Sequence, residues 1–234
     1  MKSTFIVLIL AALSVPFFSG CYSTEVSESA NVNQAQIYQN YYIGYDSESG
    51  LADARAVFRF ESWQGNTLNL TPPSDIIING KDMRGEKEWL VGYVYRADRV
   101  KNDRQEYTFE FTDTEGKKYT NRLMLKPIEF DTMQEAVSRS SGVNISWKGK
   151  PVGQDETARL VITMADTVSI TLETSMRGAT YITVKPDDLA GFQTGLANLQ
   201  FEREVTKDLQ EATNSEGMIG GKYTSGVTAV TIEE

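Results

Sequence analysis

The chain has 234 residues, 23 basic and 32 acidic side chains, a formal charge of −9, one cysteine and no histidine. An acidic balance of this kind offers no general attraction for nucleic acid or for anionic lipid. Without histidine there is no Ser-His-Asp triad, no Cys-His pair and no histidine metal site, which leaves a glycosidase-type carboxylate pair as the main enzymatic option. No catalytic signature, metal site or cofactor motif is read from the residues.

The first element is an apolar run. Lys2 precedes Phe5 to Phe18, a stretch of about fourteen residues that as a helix measures about 21 Å, short of a hydrocarbon core near 30 Å. Pro16 falls in its last turns, where a spanning helix gains nothing from it. Ser19 and Gly20 are the small residues that a signal peptidase needs. Phe18-Ser19-Gly20-Cys21 resembles the lipobox of bacterial lipoproteins, with Phe18 where leucine is usual. The resemblance implies a signal peptide over 1–20, lipidation of Cys21 and a lipid-anchored protein of the bacterial cell envelope. An ordinary cleaved secretory signal is the competing reading. A lone cysteine in an exported chain has no internal disulfide partner, and a thioether to lipid accounts for it. Two or more acyl chains make such an anchor stable. Tyr22 after the cysteine implies, by resemblance to enteric sorting, the outer membrane, with the surface or the periplasm left open. Cleavage would remove Lys2 and take the charge from −9 to −10.

Residues 21–34 are polar and read as a flexible tether. Tyr38, Tyr41, Tyr42 and Tyr45 follow; alternation puts Tyr41 and Tyr45 on one side and Tyr38 and Tyr42 on the other. Tyr41 and Tyr45 are candidate ligand-binding residues, against a first strand half packed on the core. Ala54, Ala56, Phe58 and Phe60 share one face of the next strand, and Arg55, Val57, Arg59 and Glu61 the other. Trp63, at the end of this strand, points by parity away from the Phe face. It is the leading candidate for stacking on a sugar or anchoring a protein interface, against a role covering the end of the sandwich. Asn79-Gly80 marks a tight turn. Trp89 follows the charged segment 81–88 and is a candidate rim residue. Tyr107, Phe109 and Phe111 pair across Asp113-Thr114-Glu115-Gly116 with Tyr119 to Leu125 as a hairpin.

Lys126-Pro127 breaks the pattern, and a domain boundary is placed there: β-sandwich domain 1 over 35–127, domain 2 over 128–234. In the second block Val143, Ile145 and Trp147 share a face, with Trp147 in the core. Strands follow at 160–164, 168–172, 181–184 and 199–205, and Gly220-Gly221, Tyr223 and 227–232 suggest a final hairpin. Asp187-Asp188 reads as a helix cap rather than a carboxylate pair. Many short strands with regular turns, in two blocks, indicate an all-β chain of two tandem antiparallel sandwiches. The Ala-Arg-Ala-Val-Phe-Arg-Phe strand (54–60), Ile-Asn-Gly (78–80) and Phe-Thr-Asp-Thr-Glu-Gly (111–116) resemble an Ig-like module of bacterial envelope lipoproteins of unassigned activity, and the resemblance extends over about residues 50–234. It implies fold and location. The leading functional expectation is a non-enzymatic, lipid-anchored binding or adhesion protein with a glycan or envelope protein as partner. The alternatives are a periplasm-facing structural or assembly lipoprotein and a carboxylate-dependent hydrolase.

Overall fold

The computed structural model describes residues 23–102, 104–132, 135–164 and 168–234. The signal segment and Cys21 lie outside the described residues. The strands are β1 (Val26–Glu28), β2 (Ile37–Asp46), β3 (Leu51–Phe60), β4 (Thr67–Asn69), β5 (Asp75–Ile78), β6 (Lys81–Asp82), β7 (Arg84–Glu88), β8 (Gly92–Val100), β9 (Glu106–Thr112) and β10 (Lys118–Met124). They continue with β11 (Glu129–Phe130), β12 (Ala136–Ser138), β13 (Val143–Lys148), β14 (Glu156–Met164), β15 (Val168–Thr174), β16 (Tyr181–Val184), β17 (Gly195–Asp208), β18 (Gly217–Thr224) and β19 (Thr228–Glu233). The chain is all-β, as the alternation predicts, and forms two sandwiches.

In the first sandwich β2 and β3 pair antiparallel, and β4 and β8 share the other edge of β3. A second sheet, β10-β9-β5-β6, lies opposite. The period-2 pattern places Ile37, Tyr41, Ile43, Ala54, Ala56 and Phe58 inside, against Ile76, Ile78, Tyr107, Phe109 and Phe111. The expected hairpin is β9–β10, with Tyr107 opposite Leu123 and Phe111 opposite Tyr119. Asn79 and Gly80 both have positive φ, 48° and 77°, as a tight β5–β6 turn needs. The second sandwich sets β19-β17-β14-β15 against β11-β13-β16. Trp147 is buried there, edge-on to Phe201 at 5.7 Å. The core changes between Leu125 and Ile128.

Two expectations are corrected. The tether does not hold from Ser23 onward: β1 pairs parallel with β4, Ser29 is fully buried, and the buried Gln34 amide donates to the Ser29 carbonyl at 2.7 Å. Short polar side chains here satisfy backbone groups at a sheet edge, which hydropathy does not register. The final hairpin is also absent. β18 and β19 both pair with β17, β18 along 202–208 and β19 along 195–199. They therefore run on as one strand interrupted at 225–227. The Ser225 hydroxyl accepts from the Phe201 N–H at 2.9 Å and bridges the interruption. Gly226 is thus part of a bulge rather than a turn.

The β17–β18 ribbon ties the sandwiches together. β18 pairs parallel with β2, so Val205 and Ile219 enter the first core while Phe201 and Tyr223 enter the second. Gly221 makes this passage fit: a Cβ there would lie 2.8 Å from the Ile43 carbonyl oxygen and 2.8 Å from a Leu125 methyl. Gly221→Val is expected to cost roughly 1–3 kcal/mol by overpacking, read as a lower midpoint in denaturant. An unchanged midpoint would contradict the close approach.

Candidate functional site

The side of β2 and β3 turned away from the core carries the best-formed aromatic surface. Tyr38, Asn40 and Tyr42 of β2 stand in register with Arg59, Val57 and Arg55 of β3. With Trp63 and Val91 they line an open hollow of about 430 Å³. Trp63 is 51% exposed. Gly65 lets its loop fold back, since a Cβ there would fall 1.8 Å from the Phe60 carbonyl oxygen.

Arg59 holds that end of the hollow together. Its guanidinium is nearly buried and donates to the carbonyls of Ser23 (2.8 Å), Gly65 (2.8 Å) and Val91 (3.2 Å). Arg55 stands 3.5 Å from Glu88, which is also bonded to Arg96. At the far end Gly220 of β18 lies beside Tyr42 and leaves its ring uncovered on that side. Beyond stand the Lys222–Glu202 pair at 2.6 Å and Arg159 between Glu173 and Glu204.

Partial burial raises the Tyr38 phenol above its ordinary pKa, with Arg59 acting against the rise. Burial, then Glu204 and Glu202, raise that of Tyr42 against Arg159. Both therefore stay neutral at ordinary pH and keep a proton to donate. Among the described residues neither hydroxyl, nor the Asn40 amide, is hydrogen-bonded within the protein. The arrangement is three aromatic faces around polar donors and acceptors. Among the described residues no carboxylate lines it.

The structure separates the candidate residues. Trp63 lies in the hollow. Tyr41 does not: it is fully buried and stacks on Phe109 at 4.7 Å and 15°. The reason is its cross-strand partner, Ala56, whose small side chain leaves room inside for a large ring. Tyr45 is likewise no ligand platform, because it stands between the two cores and packs on Tyr223 at 5.0 Å. The Tyr223 hydroxyl in turn donates to Glu129 at 2.5 Å. Trp89 caps the β7–β8 turn, 89% exposed and outside the hollow's lining. Cys21 lies outside the described residues. The sequence offers Tyr38 and Tyr42 only as one side of the tyrosine cluster and gives no signal for Asn40, Arg55 or Arg59, although the Ala-rich face of β3 assigns the inner tyrosines and so, by parity, the outer pair.

Among the described residues no three His, Cys, Asp or Glu side chains gather as a metal site. No helix among them is long and apolar enough to cross a membrane. Asp113 and Asp188 are turn and cap residues: Asp113 accepts from the Glu115 and Lys117 N–H groups, and Asp188 from that of Lys185.

No protein-family description matches the chain. No curated protein matches it either. Among solved structures it is similar to SGBP-B of the Bacteroides ovatus mixed-linkage glucan utilization locus, in complex with a mixed-linkage heptasaccharide. The identity is 12% over 91% of this chain and 66% of that one, with a TM-score of 0.27. The chain therefore spans just under two thirds of that protein's length. It is also similar to the N-terminal Ig1-2 module of the Drosophila receptor protein tyrosine phosphatase DLAR (11%, 84% and 100%, TM-score 0.25) and to the Yersinia pseudotuberculosis adhesin InvE (10%, 86% and 60%, TM-score 0.23). Likenesses this distant assign no ligand.

Proposed function

We propose that the chain is a non-enzymatic, lipid-anchored envelope protein that binds carbohydrate on the outer face of β2 and β3. The observation that carries this reading is the hollow itself: Trp63, Tyr38 and Tyr42 around Asn40 and two arginines. Sugar rings present apolar C–H faces that pack on aromatic rings, and hydroxyls that pair with phenols, amides and guanidinium groups. Tyrosine and tryptophan provide both surfaces at small entropic cost. A hollow without a lining carboxylate suits retention of a glycan rather than its hydrolysis, for which two carboxyl groups flank the scissile bond.

Affinity electrophoresis through gels containing plant, host and bacterial polysaccharides tests the reading. The protein is expected to be retarded by at least one of them, and Trp63→Ala to migrate freely. Equal mobility of the two in every gel would contradict it. The anchor has its own check: incorporation of a palmitate analogue that is lost in Cys21→Ser, with the labelled protein fractionating with the outer membrane.

A further inference from the structure

At the end of the first sandwich where the described chain begins, the β7–β8 turn puts two large apolar side chains into solvent. Trp89 is 89% exposed and Leu90 64%. Two side chains on one turn are far short of the roughly 800 Å² per partner that a stable protein interface buries. The carboxylates beside it are engaged: Glu88 with Arg96 and Arg55, Glu86 with Arg96 at 2.9 Å.

The first described residues are held beside the β8 side of this same turn. The Ser23 N–H donates to the Gln64 carbonyl at 3.0 Å. One guanidinium, that of Arg59, joins the carbonyls of Ser23 and Val91. One hydroxyl, that of Thr67, donates to the Glu25 carbonyl and accepts from the Tyr93 N–H, both at 2.8 Å. The β8 side of the turn and the first described residues are thus held together by two buried side chains, Arg59 and Thr67. Cys21 is two residues before Ser23, and two residues of any conformation reach at most about 7 Å.

We propose that the Trp89–Leu90 tip seats in the interfacial layer of the bilayer that holds the lipid on Cys21, so that the first sandwich stands on the membrane on this end. This rests on the reading that Cys21 is lipidated. A tether would let the protein tumble; an anchor reaching no more than a few ångströms from a fixed point does not. Tryptophan belongs at the headgroup level, where its ring is apolar and its N–H is wet. Net acidity, −9 for the full sequence and −10 once Lys2 is removed, leaves the contact to apolar insertion, since electrostatics opposes approach to anionic lipid.

The test uses the full chain matured in its membrane, purified in detergent and reconstituted into phosphatidylcholine vesicles with brominated acyl chains. Palmitate labelling of the same samples reports the anchor. Labelled wild type is expected to lose tryptophan emission and labelled Trp89→Phe to keep nearly all of its own, the interfacial ring being the one within reach of the quencher. Equal quenching of the two, or none, in labelled protein overturns the seating of the tip and leaves the anchor standing. Absence of label on Cys21 overturns both.

Discussion

Arg203→Ala is expected to destabilise the protein by about 3–5 kcal/mol, because it leaves a buried carboxylate without its partner. Arg203 and Glu156 are 3% and 4% exposed and 2.5 Å apart. Lys126, between the two cores, approaches the other Glu156 oxygen at 2.5 Å. Arg203 also donates to the Lys150 and Pro151 carbonyls, each at 2.7 Å, and the Gly153 N–H donates to Glu156 at 2.7 Å. The cluster thus closes the junction between the sandwiches, with one member on the linker, one on β14 and one on β17. Burial pushes the Glu156 carboxyl up, but the bonds from Lys126, Arg203 and Gly153 together outweigh it and hold the pKa below the ordinary 4.5. A lowered folded-state pKa adds stability that is complete above about 4.5 and is lost as pH falls through the folded value. Denaturant titrations should therefore show wild type weakening below that pH and Glu156→Gln weakening less steeply. A cost under about 1 kcal/mol for Arg203→Ala would mean the pair is not closed to water as described.

The second large effect separates two adjacent tyrosines. Tyr41→Ala is expected to cost about 3–5 kcal/mol, the range for a truncated core aromatic. It removes the stack on Phe109 and the hydroxyl that donates to the fully buried Gln39 at 2.7 Å. Tyr42→Ala, one residue on and on the opposite face, should change stability by about 1 kcal/mol or less. It should instead weaken the proposed carbohydrate binding about tenfold, equivalent to about 1.4 kcal/mol. Thermal melts and binding measured on both variants give the contrast. If Tyr42→Ala unfolds the protein while Tyr41→Ala leaves it intact, the assignment of faces is reversed.

Much of the fold is legible in the sequence because each sandwich buries one face per strand, and alternation records that directly. The β9–β10 hairpin and the tight turn at Asn79-Gly80 follow from local chemistry. The spine is not legible, because the ribbon of β17 and β18 pairs with a strand some 180 residues earlier in the chain, and nothing local marks such a partner. Gly220 and Gly221 resemble turn residues, but at Gly221 the carbonyl of Ile43 and the methyls of Leu123 and Leu125 crowd the space where a side chain would be. The start of the chain reads as tether because its buried groups, Ser29 and Gln34, are polar and are satisfied by backbone partners. For the site, alternation divides the tyrosines into two pairs correctly, but only the alanines opposite Tyr41, Ile43 and Tyr45 show which pair faces inward.

The most direct measurement is the emission of Trp63 during titration with an oligosaccharide of a polysaccharide that retards the protein, in a Trp89→Phe background. Trp147 is buried in the other sandwich and reports nothing of the hollow. A carbohydrate-binding face predicts a saturable change in emission that disappears when Trp63→Phe is added. A change that survives that substitution, or binding with no change at all, would place the ligand elsewhere and contradict the proposed site.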